Sequence, residues 1–88
     1  MNNQKLTLKQ QKVLEVVVEY QHEKGYPPAM RELGDILNLA SASTVKNYLD
    51  VLKRKGYVTW EKGKPRTLKV LDKGKEFVAT NQKKALLN

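Results

Sequence analysis

The 88-residue sequence has no cysteine and a single histidine. Disulfide scaffolds, thiolate zinc sites and cysteine nucleophiles are excluded, and one imidazole cannot furnish a two-histidine metal motif. No run of apolar residues exceeds three, whereas a membrane-spanning helix needs about 20. The opening Met1-Asn2-Asn3-Gln4-Lys5 leads into polar sequence, not into the apolar core of a signal peptide. No pair of carboxylates, nucleophile with base, or metal-ligand cluster stands at a catalytic spacing, so an enzyme is not expected. A chain this short makes one domain with a small core, burying only about 60–65% of its unfolded surface. The expectation is a soluble, cytoplasmic protein with no cofactor, no membrane partner and no small-molecule substrate.

Acidic residues are scarce in the second half. Residues 1–44 carry five basic and five acidic groups, whereas residues 45–88 carry twelve basic and four acidic, so the whole excess of +8 lies there. A one-sided basic surface on a small domain points to a polyanion. The first helix instead bears Glu15, Glu19 and Glu23 at four-residue spacing, a solvated acidic stripe. His22, beside them, reads as a solvent-exposed residue.

Thr7-Leu8-Lys9-Gln10 fits a capping box, and Val13, Leu14, Val16, Val17 and Tyr20 then fall on one helical face. Gly25 ends that helix. Tyr26-Pro27-Pro28 follows, with Pro28 suited to the first turn of a second helix over about Ala29–Leu37. Met30, Leu33, Ile36 and Leu37 are expected to face inward. Asn38 suits a left-handed stop. Ser41 and Ser43 are both N-cap candidates for a third helix, which runs to about Lys55 before Gly56. Beyond Gly56 the period changes. Tyr57–Glu61 and Arg66–Leu71 read as strands about a Lys62-Gly63-Lys64-Pro65 turn, giving a hairpin with a basic tip. Trp60 is expected to pack against the helices. Asp72-Lys73-Gly74-Lys75-Glu76-Phe77-Val78 can open an extra C-terminal helix, with Gly74 weakening its start. The fold class is mainly α with a small β-hairpin (α+β), a three-helix winged helix-turn-helix over residues 1–71 with a helical tail over 72–88.

On a helical wheel the apolar residues of the third helix, Val45, Tyr48, Leu49 and Leu52, centre near Leu52. The opposite face carries Ser43, Lys46, Asn47 and Asp50, flanked by Thr44 and Arg54. Such a helix fits the B-form major groove, about 12 Å wide, where Asn pairs with adenine and Lys donates to guanine. Lys53, Arg54 and Lys55 at its end, with Lys62, Lys64 and Arg66 at the hairpin, suit phosphates. Double-stranded DNA is the expected partner.

Several stretches carry a resemblance: Gly25-Tyr26-Pro27-Pro28, Arg31-Glu32-Leu33, Ala40-Ser41-Ala42-Ser43-Thr44-Val45, Leu49, Leu52, Lys55-Gly56 and Lys64-Pro65-Arg66. Through them the chain from about Leu6 to Leu71 resembles the N-terminal DNA-binding domain of LexA, the repressor of the bacterial SOS response. The resemblance places Ser41, Ser43, Thr44, Lys46 and Asn47 at base-reading positions, nearly the set given by the wheel. It implies a sequence-specific transcriptional regulator acting as a repressor. The rival readings are a winged-helix protein-interaction module or a DNA-binding accessory factor of a mobile element. LexA continues into a self-cleaving domain that also dimerises it. The present sequence stops at Asn88, so direct self-cleavage is not expected. The segment after the hairpin is similar to one that opens a pairing helix in many winged-helix regulators. Phe77, Val78, Leu86 and Leu87 could form a pairing surface there, or the helix could pack on its own domain. The expected state is a monomer or weak homodimer that pairs mainly on DNA.

Overall fold

The structure, a computed structural model, describes residues 6–87, with side chains described for residues 6–80. The chain order is α1 (Leu8–Lys24), α2 (Met30–Leu37), α3 (Ala42–Arg54), β1 (Val58–Thr59), β2 (Lys69–Val70) and α4 (Asp72–Leu87). Each boundary has a local cause. The Thr7 hydroxyl accepts from the Gln10 N–H at 3.1 Å, and the Gln10 amide oxygen accepts from the Thr7 N–H at 3.0 Å, so the capping box opens α1. Gly25 closes it with φ 83°, and Asn38 closes α2 with φ 62°. Ser41, not Ser43, caps α3, its hydroxyl accepting from the Ser43 N–H at 3.1 Å. The second helix begins one residue later than Ala29, which is its N-cap, and Pro28 lies outside it with its side chain fully buried.

Leu14, Val17, Leu33, Val45, Leu49, Leu52 and Val58 form the inner core where α1, α2, α3 and the hairpin meet. Tyr20 is only half-buried, its hydroxyl donating to Glu32 at 3.0 Å. The inward placement of Met30 and Ile36 does not hold: they are 36% and 51% exposed, while Leu33 is sealed. An eight-residue helix packed along a single line can bury only one narrow stripe, and Leu33 and Gly34 occupy it.

The hairpin is shorter than its alternation suggests. Only Val58 with Val70 and Thr59 with Lys69 pair, antiparallel. Between them the chain is held by Thr67. Its hydroxyl accepts from the Glu61 N–H at 2.9 Å and lies 3.2 and 3.1 Å from the Glu61 and Lys64 carbonyl oxygens. A side-chain hub thus replaces ladder rungs in the wing. Trp60 is half-buried against the core, with the Lys53 ammonium 4.6 Å above its ring.

The fourth helix packs on its own domain. Val78 is buried, and the half-buried Phe77 meets Tyr57 edge-to-face with centroids 5.8 Å apart. Of the alternatives considered from the sequence, these two residues follow packing on the helix's own domain; Leu86 and Leu87 lie outside the described side chains. The Lys73 ammonium donates to the Lys55 carbonyl at 2.8 Å and sits 4.7 Å from the Tyr57 ring centre, tying α4 to the end of α3.

Candidate nucleic-acid interface

The third helix buries Val45, Leu49 and Leu52 and turns Ser43, Lys46 and Asn47 to solvent. Ser41 is exposed at its start, and Thr44 is half-buried at the margin of the face. Lys46 lies 3.6 Å from Asp50, one turn on, and both side chains are well exposed. An exposed pair of this kind contributes at most about 0.5 kcal/mol and exchanges readily for another anion. Asp50 thus neutralises Lys46 within the helix.

The basic groups divide into two sets. Lys46 from α3 and Lys62 and Lys64 from the wing line one open cleft of about 350 Å³, floored by Leu49, Trp60 and Leu68. Lys64 is paired with Glu61 at 3.4 Å in solvent. Lys53, Arg54 and Lys55 lie at the far end of α3, with Lys53 and Arg54 exposed and Lys55 half-buried. The Lys53–Trp60 contact joins this set to the base of the wing. The third helix and the wing thus each present cations, with Trp60 touching both sets.

Arg66 stands apart. Its guanidinium donates two hydrogen bonds of 2.8 Å to the two oxygens of Glu32 and a third of 3.3 Å to the Pro27 carbonyl. It also lies 5.0 Å from the centre of the Tyr26 ring. The Arg66 guanidinium, then the Ala29 N–H, hold the Glu32 carboxyl well below the usual carboxylate range, at about 2. Glu32, and then Tyr20, push the Arg66 guanidinium upward. The Tyr20 phenol is raised, first by its partial burial.

Two residues on α2 were not among the sequence candidates. Met30 and Arg31 are exposed in its first turn, and both line a second groove with Ser41 and Ala42 of α3. The first helix of a helix-turn-helix crosses the DNA backbone beside the reading helix, and Arg31 is a cation in that place. The available signal was the Pro27-Pro28 pair, which marks where α2 begins and so puts Arg31 in its first turn. Among the described residues no group of three or more His, Cys, Asp or Glu could hold a metal ion, and no helix is long and apolar enough to cross a membrane.

Three helices, a two-stranded wing and an exposed polar helix set against the wing define the winged helix-turn-helix class. The family model of the LexA DNA binding domain matches residues 3–67. A LexA repressor of Halalkalibacterium halodurans is 46% identical over 68 residues, covering 77% of this chain and 33% of the repressor. A LexA repressor of Geobacillus sp. (strain WCH70) is 42% identical over 78 residues, covering 89% and 37%. A crystal structure described as a hypothetical protein superposes with a TM-score of 0.78 at 26% identity, covering 92% of this chain and 25% of that one. The chain belongs to the LexA DNA-binding domain family. It spans about a third of the length of the curated relatives it matches.

Proposed function

We propose that the chain binds double-stranded DNA sequence-specifically as a transcriptional repressor, with α3 in the major groove and the wing on the flanking backbone. The observation that carries this reading is the shared cleft, in which Lys46 of α3 faces Lys62 and Lys64 of the wing. Ser41, Ser43, Thr44, Lys46 and Asn47 are the base-reading set. Asn47 is suited to adenine, and Lys46 to guanine once Asp50 yields it. Lys53, Arg54, Lys55, Lys62 and Lys64 hold phosphates, joined by Arg31 from α2. We leave Arg66 out of this set, because three of its five N–H donors already serve Glu32 and Pro27.

Residues 1–71 do the recognition, and α4 braces them. One reading helix covers only about four to six base pairs, too few to mark a unique site among the millions a genome offers. The protein accordingly pairs on a palindromic operator in the bacterial cytoplasm, and is a monomer or weak dimer when free. The test is a binding titration of Asn47→Ala against a selected duplex and a random pool. The selected site should lose about 1–3 kcal/mol and the pool almost nothing. An equal loss on both would remove α3 from the groove.

A further inference from the structure

Three sequence stretches far apart in the chain meet at one point. They are the Gly25-Tyr26-Pro27-Pro28 joint between α1 and α2, Arg31-Glu32-Leu33 in the first turns of α2, and Lys64-Pro65-Arg66 at the end of the wing turn. The Glu32 carboxylate receives the Tyr20 hydroxyl at 3.0 Å, the Ala29 N–H at 2.9 Å and both arms of Arg66 at 2.8 Å. The Tyr26 ring lies against the guanidinium on one side and meets Tyr20 edge-to-face, centroids 6.0 Å apart. Arg66 itself has φ 57°. An L-residue persists in the left-handed region only where its surroundings over-determine it. Here the bidentate bond, the backbone carbonyl and the aromatic face supply that constraint.

We propose that Arg66 and Glu32 form a latch that fixes the wing against the joint between α1 and α2, making both positioning residues for DNA binding. The wing needs such a device. Its strands pair over only two residues each, so the ladder alone leaves the turn carrying Lys62 and Lys64 free to swing. A bidentate guanidinium–carboxylate pair restricts direction as well as distance, which a lysine–carboxylate pair does not. The latch closes one end of the cleft, and the lysines at its mouth are thereby held at a set distance from α3. This inference rests on the DNA-binding reading above, but it also has a consequence in the free protein.

The latch and a direct phosphate contact by Arg66 predict opposite signs for one substitution. Removing the Glu32 charge takes a negative group away from a polyanion site. If Arg66 were a phosphate ligand restrained by Glu32, Glu32→Gln would tighten DNA binding. If the pair is a latch, Glu32→Gln weakens it. We expect Glu32→Gln and Arg66→Gln each to lower the affinity of the folded protein for a random duplex pool by about 3- to 30-fold. The double variant should be no worse than either single one, and the slope of log affinity against log salt should stay unchanged. In the free protein, the Glu61 and Lys64 amides of the wing should exchange hydrogen faster in both single variants. Circular dichroism at the assay temperature confirms that each variant is folded. Tighter binding by Glu32→Gln, or a slope smaller by about one unit in Arg66→Gln alone, would overturn the latch. So would unchanged affinity and unchanged amide exchange in both. Failure of the unaltered protein to bind the pool would count against the DNA reading instead, and the exchange measurement would still judge the latch.

Discussion

At Glu32 four hydrogen bonds converge on one half-buried carboxylate. In the unfolded chain a glutamate titrates near 4.3, and in the fold this one is held down to about 2, chiefly by Arg66. The unfolded state therefore takes up the proton first as pH falls. The stabilisation from this group is fully present above about pH 5 and is lost progressively towards pH 2. Urea midpoints measured across that range should fall less steeply for Glu32→Gln than for the unaltered protein; identical slopes would show that the Glu32 carboxyl is not held below the usual range. Gly74 offers a second test at the same scale. A Cβ there would lie 2.7 Å from both the Tyr57 carbonyl oxygen and Val70 Cγ1. Alanine gains up to about 1 kcal/mol of helix propensity over glycine, but overpacking costs about 1–3 kcal/mol. Backbone is the neighbour that must yield, so the steric effect wins. Gly74→Ala should lower stability by about 1–2 kcal/mol in urea unfolding, and a gain would contradict the close packing of α4.

Among the elements, α4 and the wing are the two whose roles differ most from their sequence signals. Gly74 reads as a helix breaker when only propensity is weighed; in the fold it lets α4 approach β2 and α1 closely. Whether Phe77 and Val78 pair or pack was open from the sequence, because nothing local says that Tyr57, twenty residues earlier, presents its ring edge-to-face to Phe77. Phe77→Ala should cost about 1–3 kcal/mol of stability, since the ring is only half-buried. It should leave the sedimentation coefficient of the free protein unchanged. A shift from dimer to monomer on this substitution would restore the pairing role. By contrast, the capping box at Thr7, the stop at Asn38 and the apolar stripe of α3 were legible, because each is set by residues within one or two helical turns. Arg66 was not. Its charge suggested phosphate, while the partner it holds in the free protein is Glu32, 34 residues away on another element. Long-range pairing leaves no periodicity in the sequence, and neither does the Thr67 hub that shortens the strands.

Over the whole molecule, the charge asymmetry between the two halves of the sequence becomes a division of the surface. Glu19 and Glu23 are exposed on α1, while Lys46 of α3 and Lys62 and Lys64 of the wing share the cleft. An uneven charge distribution of this kind helps to orient a domain on a polyanion before any base is read. The exposed polar face of α3 was readable from the wheel alone, because Val45, Leu49 and Leu52 fix the helix rotation. Its juxtaposition with the wing was not, since that depends on how β1 leaves α3 after Gly56. Among the described residues no buried side-chain nitrogen or oxygen lacks a partner, so the polar groups of the cationic face are not needed to satisfy the interior.

The central claim is that this face holds the DNA backbone, and the salt dependence of binding tests it most directly. Neutralising a phosphate releases counterions, and each contact contributes about −0.9 to the slope of log affinity against log salt. With Arg66 engaged by Glu32, six cations remain for phosphates, and with about four to six contacts formed the slope per domain on duplex DNA should be about −3.6 to −5.4. A flat profile would contradict the account.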